Sequence, residues 1–293
     1  MFQSYIGEFA GLGVALCWTI SALFFERAAH RIGSLSVNFI RLVLAIFYLS
    51  ITTYFTRGLF FPTDATFYQW FWLGLSGFFG FFICDVFLFK SFTIIGSRTA
   101  ALVLSFTPMF TALIGWYFLD ERLSKMNIWG ISVSLLGILI AISSKELKLS
   151  IPIKGFLFAL IGMVGQCIGI IFSKKGMGGY DPIASTEIRA IIGFFCFVIL
   201  ITFLQRWTKV RDALFETSAI KSVTIGSVFG PFIGVALSLF AIQHTKTGIA
   251  ATLMSMVPIF IIWPSAIMFK EKITFAQILG TAISMIGAAL FFL

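Results

Sequence analysis

Long apolar runs alternate with short polar segments along the whole chain. A membrane-spanning helix needs about 20 mostly apolar residues, and ten runs approach that length. They cover roughly 7–25, 35–55, 68–89, 99–119, 127–144, 155–173, 183–204, 222–242, 248–269 and 275–293. The longest connection, 205–217, predicts a helix on the surface, and a polar segment from Ser144 divides five runs from five. The pattern predicts an all-α integral membrane protein with ten transmembrane helices.

The fourth and ninth runs repeat each other at an offset of 150 residues. The matched pairs are Ser105 and Ser255, Pro108 and Pro258, Phe110 and Phe260, and Glu121 and Glu271. The register continues into the next run, where Gly130, Ser134 and Gly137 match Gly280, Ser284 and Gly287. A match that keeps one offset through proline, glutamate and glycine indicates an internal duplication.

Each half holds five predicted helices, and five is an odd number. A second copy of such a unit enters the membrane in the opposite orientation, so we expect two inverted five-helix repeats, 1–146 and 147–293. The earlier helices match more weakly: Ile40-Arg41 resembles Ile188-Arg189, and Gly80 matches Gly230.

Composition supports a membrane protein. Hydrophobic residues make up 59% of the chain and charged residues 11%, whereas a soluble domain has about a quarter charged. The net charge of +9 comes from lysine and arginine clustered between apolar runs, which topology and anionic lipids explain without a nucleic acid partner. The four cysteines lie in apolar runs without C-x-x-C spacing, which favours neither a disulfide framework nor a metal site.

Motifs of catalysis are lacking in the sequence. It contains no H-E-x-x-H motif, no glycine-rich phosphate loop and no clustered metal ligands, so neither an enzyme nor a cofactor is expected. No polar stretch is long enough for a nucleotide-hydrolysing domain, so any active transport would be secondary. The amino terminus lacks a basic region, and no cleaved signal peptide is predicted.

The basic residues are distributed unequally between the two sides of the predicted bundle. The odd-numbered loops carry Arg27, Arg31, Lys90, Arg98, Lys145, Lys148, Lys154, Arg206, Lys209, Arg211, Lys221, Lys270 and Lys272. The even-numbered loops carry Arg57, Arg122, Lys125, Lys174, Lys175 and Lys246. Cytoplasmic loops are usually the richer set, which predicts that both termini lie outside the cytoplasm.

Ten helices in two repeats, each closing with a P-x-F…E…G-x-x-x-S-x-x-G pattern, resemble the drug/metabolite transporter superfamily in its EamA-type branch. The resemblance implies a multi-pass protein of the plasma or inner membrane that transports a small molecule, often by exporting amino acids or related metabolites. An importer or exchanger of an organic cation is an alternative, and a membrane enzyme or scaffold is an alternative of another class. Protons are a candidate coupling partner, and monomer and homodimer both stay open.

Asp85 is the deepest carboxylate in the predicted helices. Charges inside apolar helices are expensive and usually face the bundle interior. The repeat offset places Val235 at the equivalent position, so this charge belongs to one half only. We expect Asp85 to bind substrate or a proton, and a salt bridge to Lys90, Arg98 or Arg41 is the alternative.

Other polar and aromatic residues inside the runs extend the set of candidates. Arg41 and Arg189 lie in the first two turns of their helices, where they either anchor helix ends or contribute to a site. Glu187 is expected to bind a cationic group or Arg41, and Gln166 to hydrogen-bond to substrate. The intramembrane tryptophans, which either wall a pocket or serve packing, are Trp18, Trp116 and Trp263.

Prolines, glycines and interfacial glutamates predict features of helix shape and helix packing. Pro108 and Pro258 each remove a backbone donor in mid-helix, which predicts a kink that serves either gating or packing. The ladder Gly226, Gly230, Gly234 and Ser238 predicts close helix packing. Glu121 and Glu271 are expected to pair locally or to help order the turn, and Thr274 with Gln277 resembles a capping box.

Overall fold

The computed structural model describes residues 5–142, 152–261, 264 and 275–290, and all regular structure in those residues is helical. Trp263, Glu271, Thr274 and the polar segment 144–151 lie outside them, as do the side chains of Arg98 and Gln277. The predictions that concern these residues therefore stay predictions.

The first half contains six α-helices and one π-helical segment among the described residues. They are α1 (Ile6–Ile32), α2 (Ser34–Arg57), α3 (Phe67–Gly77), π1 (Phe78–Ile83), α4 (Cys84–Leu104), α5 (Thr107–Leu119) and α6 (Lys125–Ile142). The segments α3, π1 and the first part of α4 form one continuous rod, Phe67–Ser97. The chain turns at Gly96, whose φ of 75° is a conformation that glycine adopts without strain.

The second half repeats this order. Its elements are α7 (Ile153–Met177), α8 (Pro182–Phe203), α9 (Trp207–Leu214), α10 (Thr217–Ser227), π2 (Val228–Gly234), α11 (Val235–His244), α12 (Thr247–Met254), α13 (Val257–Phe260) and α14 (Phe275–Ala289). Helix α9 confirms the predicted surface helix. The segment π2 lies at the repeat offset from π1, so the two halves share an element that the hydrophobic pattern did not predict.

Six helical rods within the described residues are long and apolar enough to cross a membrane. They are Ile6–Ile32, Ser34–Arg57, Phe67–Ser97, Ile153–Met177, Pro182–Phe203 and Thr217–His244. Four shorter apolar helices lie in the regions of the other predicted spans: Thr107–Leu119, Lys125–Ile140, Thr247–Phe260 and Ile278–Gly287. Large apolar side chains remain exposed on the outer surface, such as Phe67 and Phe203, as expected for a protein whose solvent is lipid.

The fourth predicted helix of each half is divided into two pieces. The breaks fall at Ser105-Phe106 and at Ser255-Met256. Pro108 and Pro258 lie in the first turn of the second piece, where a missing backbone donor costs no helical hydrogen bond. The helix is interrupted near each proline, as expected, but the proline begins the second piece and does not lie within one kinked helix, because the first pieces already end at Leu104 and Met254.

Small residues bring helices into close contact, as their spacing predicted. Gly226 and Gly230 pack against the ring of Phe25, and Gly234 packs against Trp18. These contacts join π2 and the adjoining helix α10 to α1, which confirms the packing interpretation of the ladder. Helices α6 and α14 approach each other through Gly137 and Gly287 in the same way.

Candidate functional site

A cavity of about 160 Å³ lies where the two halves meet. Helices α1, α2, α4, α7, α8, α11, α12 and α13 and both π-helical segments line it. Its wall is mainly apolar and aromatic, with Trp18, Phe25, Phe81, Phe89 and Leu239 among the lining side chains. The charged side chains in the lining are Arg41, Asp85 and Arg189. The described part of its wall therefore carries two guanidinium groups and one carboxylate in an apolar setting.

The π-helical segments shape this cavity at equivalent places in the two halves. Gly80 and Phe81 of π1, and Gly230 and Pro231 of π2, line it, and Asp85 follows π1 by two residues. A π turn holds an extra residue and turns the side chains that follow onto another face of the helix, and such turns are common at functional sites. Pro231, inside π2, is a signal of irregularity that the sequence interpretation missed.

Asp85 forms a buried salt bridge with Arg41. Arg41 Nε also donates to Asn38 Oδ1 at 2.9 Å, and Asn38 Nδ2 donates to the Asp85 backbone carbonyl at 3.1 Å. The pair is thus fixed by a third residue on α2, one turn before Arg41. Of the partners considered from sequence, the structure places Arg41 beside Asp85.

Aromatic rings surround the Arg41 guanidinium. Its Cζ lies 4.7 Å from the ring centroid of Phe89, 5.6 Å from that of Phe25 and 5.7 Å from that of Phe81. Such distances allow cation–π attraction in addition to the ion pair. Arg41 is only 4% exposed, so it faces the bundle interior, and the anchoring role at a helix end that we had considered does not apply.

Arg189, the counterpart of Arg41, is placed differently. It is 6% exposed, its Nε has no hydrogen-bond partner, and its guanidinium carbon lies 5.0 Å from the centroid of Phe81. Among the described residues no carboxylate comes within salt-bridge distance of it. Its Nη2 lies against Gly80, where an added Cβ would be 3.0 Å away. Asp85 attracts Arg189 at longer range, so the second half buries a cation that has no salt-bridge partner among the described residues.

The remaining sequence candidates divide into two groups. Trp18, Gln166 and Pro258 line the cavity with Arg41, Asp85 and Arg189, whereas Pro108 is buried outside it. Trp116 is 62% exposed on the outer surface, so it does not wall the cavity.

Glu187 also lies outside the cavity lining. It accepts hydrogen bonds from Ser50 Oγ at 2.7 Å and from Thr53 Oγ1 at 3.2 Å. The expected pairing of Glu187 with Arg41 was wrong, because two hydroxyls on the far part of α2 satisfy its carboxylate.

Polar contacts close the bundle at the end where α1 begins. Glu121 Oε2 accepts hydrogen bonds from the backbone nitrogen and the hydroxyl of Thr247, at 2.8 and 2.6 Å. Glu121 Oε1 lies 2.7 Å from Lys174 Nζ, which also donates to the Thr245 carbonyl at 2.7 Å. Glu121, which belongs to the first half, thus caps the amino terminus of α12 in the second half. This contact spans a longer distance along the chain than the local pairing that the sequence predicted.

A second polar cluster joins two loops at the same end. Tyr180 Oη donates to Asp64 Oδ1 at 2.8 Å, and Arg57 Nη1 donates to the Tyr180 oxygen at 3.2 Å. Arg57 also forms a salt bridge with Asp64. Burial, more than its hydrogen bonds, raises the pKa of Tyr180 to about 12. Slight burial works to raise the pKa of Asp64, but the Tyr180 hydrogen bond and Arg57 outweigh it and lower that pKa.

Comparison with known proteins connects this arrangement to a family. The profile of the EamA-like transporter family matches residues 5–143 and again residues 153–293. An uncharacterized transporter of Archaeoglobus fulgidus is 23% identical over 72% of this chain and 73% of its own length. A probable amino-acid metabolite efflux pump of Salmonella typhimurium is 24% identical over 64% of each chain.

A solved crystal structure has the same fold. It superposes with a TM-score of 0.71 over 97% of this chain and 96% of its own, at 16% sequence identity. The matched relatives are transporters, and the family profile occurs twice in a chain of long apolar helices. The protein is therefore a multi-pass membrane protein with two repeats, and it belongs to the EamA-like transporter family.

Proposed function

We propose that the protein is a secondary transporter that exports amino acids or related small metabolites by alternating access. The observation that carries this proposal is the cavity lined by both halves, with a fixed ion pair and a second guanidinium in its wall. Substrate sites of repeat-built transporters lie where the repeats meet. The Salmonella relative that is a probable amino-acid metabolite efflux pump supports the substrate class and the direction.

The proposed architecture is ten spans in two inverted halves, 1–146 and 147–293. Six long rods and four shorter apolar helices supply the spans, and five per half requires inversion. The equivalent breaks at Ser105 and Ser255 and the equivalent π segments support the duplication. The bias of basic residues supports termini outside the cytoplasm.

Import or exchange of an organic cation has less support. Asp85 is already neutralised by Arg41, and Glu187 lies outside the cavity lining. Two guanidiniums against one carboxylate would repel a cationic solute. Asp85 remains our candidate for coupling, because it is the carboxylate in the described lining of the cavity and would exchange a proton as the cavity opens to either side.

The test is metabolite efflux from cells that express the protein, compared with cells that do not. Export predicts faster loss of preloaded amino acids and lower internal levels, and the purified protein in proteoliposomes should exchange the same solutes. A collapsed proton gradient should slow the flux if protons drive it. Equal efflux from both cell lines, together with inactive proteoliposomes, would contradict the proposal.

A further inference from the structure

The described residues that line the cavity include one buried cation more than they include anions. Arg41 has Asp85 and the Asn38 amide as partners, whereas Arg189 has the face of Phe81 and an Nε without a hydrogen bond. A guanidinium stays charged inside proteins, and burial of an unpaired charge is costly. A side chain kept in this state is set up to receive an anionic partner that the chain does not supply.

The duplication shows which partner is missing. In the first half Arg41 on α2 pairs with Asp85, which follows π1. In the second half Arg189 on α8 is the counterpart of Arg41, and Val235, which follows π2, is the counterpart of Asp85. Arg189 and Val235 both line the cavity. The second half thus keeps the cation, and an apolar residue stands where its carboxylate would be.

We propose that a carboxylate group of the transported molecule binds Arg189 and serves as the counter-ion that Val235 does not provide. This inference rests on the proposed transport function and assigns its substrate class, a small organic acid with an apolar body. The planar guanidinium suits a carboxylate, which it can hold through two parallel hydrogen bonds.

The side chains near Arg189 in the cavity suit the apolar body of such an acid. Trp18, Phe25 and Leu239 offer apolar surface in the same cavity, and Gln166 offers an amide that makes no hydrogen bond to any described residue. An amino acid satisfies the same description through its own carboxylate, with its side chain against the rings. An amine without a carboxylate would leave Arg189 unpaired and add a third positive charge.

Binding to the full-length protein in lipid nanodiscs tests this assignment. The probes are 3-phenylpropionate and its amide, which share an apolar body and differ in charge, with benzoate and benzamide as a second pair. Ligands that bind only the folded state raise its melting temperature. The melting temperature of the wild-type protein should rise with the acids and not with the amides. Each compound is tested up to about 100 mM, because a ligand with a Kd of about 1 mM saturates its site at that concentration.

Three variants locate the effect. Arg189→Gln should weaken acid binding roughly ten- to hundredfold, as expected for loss of a charged hydrogen bond, while Arg206→Gln, an exposed arginine, should bind as the wild type does. Val235→Asp should raise the melting temperature of the ligand-free protein and abolish acid binding, because it supplies the counter-ion internally. Val235→Asn is the uncharged control, and it should neither raise the melting temperature nor abolish acid binding.

The outcomes separate the two proposals. Equal stabilisation by acids and amides, no stabilisation by either, or acid binding unchanged in both Arg189→Gln and Val235→Asp would overturn the assignment. Exchange of neutral or cationic solutes by proteoliposomes would then leave the transporter proposal standing. Acid binding that depends on Arg189, in a protein that moves no solute, would support the site and contradict the transport function.

Discussion

The Ser134 hydroxyl donates a hydrogen bond of 3.3 Å to the backbone carbonyl of Ser284, and these serines occupy equivalent positions in the two repeats. The contact joins α6 to α14. A Cβ at Gly137 would lie 2.2 Å from the Ser284 nitrogen, and one at Gly287 would lie 2.4 Å from the Ser134 nitrogen. The glycine contacts are thus reciprocal between the halves, whereas the hydroxyl hydrogen bond runs one way, because Ser284 Oγ has no hydrogen-bond partner among the described residues.

Gly137→Val should separate α6 from α14. Its side chain has no room beside the Ser284 backbone, and such overpacking costs about 1–3 kcal/mol. We expect a lower melting temperature in nanodiscs. Leu136→Val, one residue away and 55% exposed, is the control and should leave the melting temperature within a degree or two of wild type, as surface changes do. Equal melting temperatures for the two variants would contradict the close contact.

Asp85→Asn and the double variant Arg41→Gln/Asp85→Asn separate structure from coupling. The single change leaves the Arg41 guanidinium without its ion pair, at a cost of about 3–5 kcal/mol. The double change removes both charges and should recover most of the folded protein. We expect neither variant to show pH-dependent flux per folded molecule, since both lack the exchangeable carboxylate. Wild-type flux and pH profile in the double variant would remove Asp85 from the mechanism.

Glu121→Gln should loosen the end of the bundle where α1 begins. The change removes the salt bridge to Lys174 and weakens the cap on α12. In a cysteine-free background, Cys introduced at Met254, which lines the cavity and is 2% exposed, reports access. A loss of about 1.4 kcal/mol of closing free energy should raise its labelling by a polar maleimide about tenfold.

Glu216→Gln is the matched control, because Glu216 pairs with Arg31 at the exposed opposite end of α1. It should leave labelling of the cysteine at position 254 unchanged. An equal effect of the two variants would indicate general loosening rather than release of one end.

Asp64→Asn should destabilise the protein only above acidic pH. The pKa of Asp64 is lowered in the folded state, by the Tyr180 hydrogen bond and by Arg57, against a small opposing effect of burial. A lowered carboxyl pKa contributes stability above the unfolded value of about 4 and loses it as pH falls through the folded value. The difference in melting temperature between wild type and variant should therefore be present at pH 7 and shrink below about pH 4. A difference that grows on acidification would contradict the pairing.

Tyr180→Phe tests the same cluster at the alkaline limit. Burial raises the pKa of Tyr180 to about 12, so its contribution is full below the ordinary value of about 10 and is lost as pH rises through the folded value. The variant should match wild type near pH 12 and be less stable at pH 8. Asp64 is partly exposed, so we expect no more than about 1 kcal/mol.

Glu187→Gln should change stability and leave substrate affinity unaltered. The amide keeps one acceptor for the hydroxyls of Ser50 and Thr53, and the residue lies outside the cavity lining. The measurement is the dependence of flux on solute concentration, normalised to folded protein. A raised half-saturation concentration with normal folding would return Glu187 to the substrate site.

The sequence predicted the helices well and the contacts between distant side chains less well. Apolar runs and an offset of 150 predicted the helices and the repeats because both depend on pattern alone. The π turns were missed because residues such as Phe78–Ile83 are apolar on every side and show no period. Arg41 was one of three partners that the sequence offered for Asp85, and the structure pairs these two residues; the place of Arg41 near a helix start had also suggested a role at the membrane interface. Glu187 accepts hydrogen bonds from Thr53 and Ser50, which lie 134 and 137 positions away in the sequence.

The two π segments mark what the halves share and where they differ. Both occupy one position in their halves, Phe78–Ile83 and Val228–Gly234, so the wide turn is common to the two repeats. Aspartate at position 85 and valine at position 235 follow these turns and differ. One backbone irregularity thus carries different side chains, and this difference gives the two walls of the cavity unequal charge.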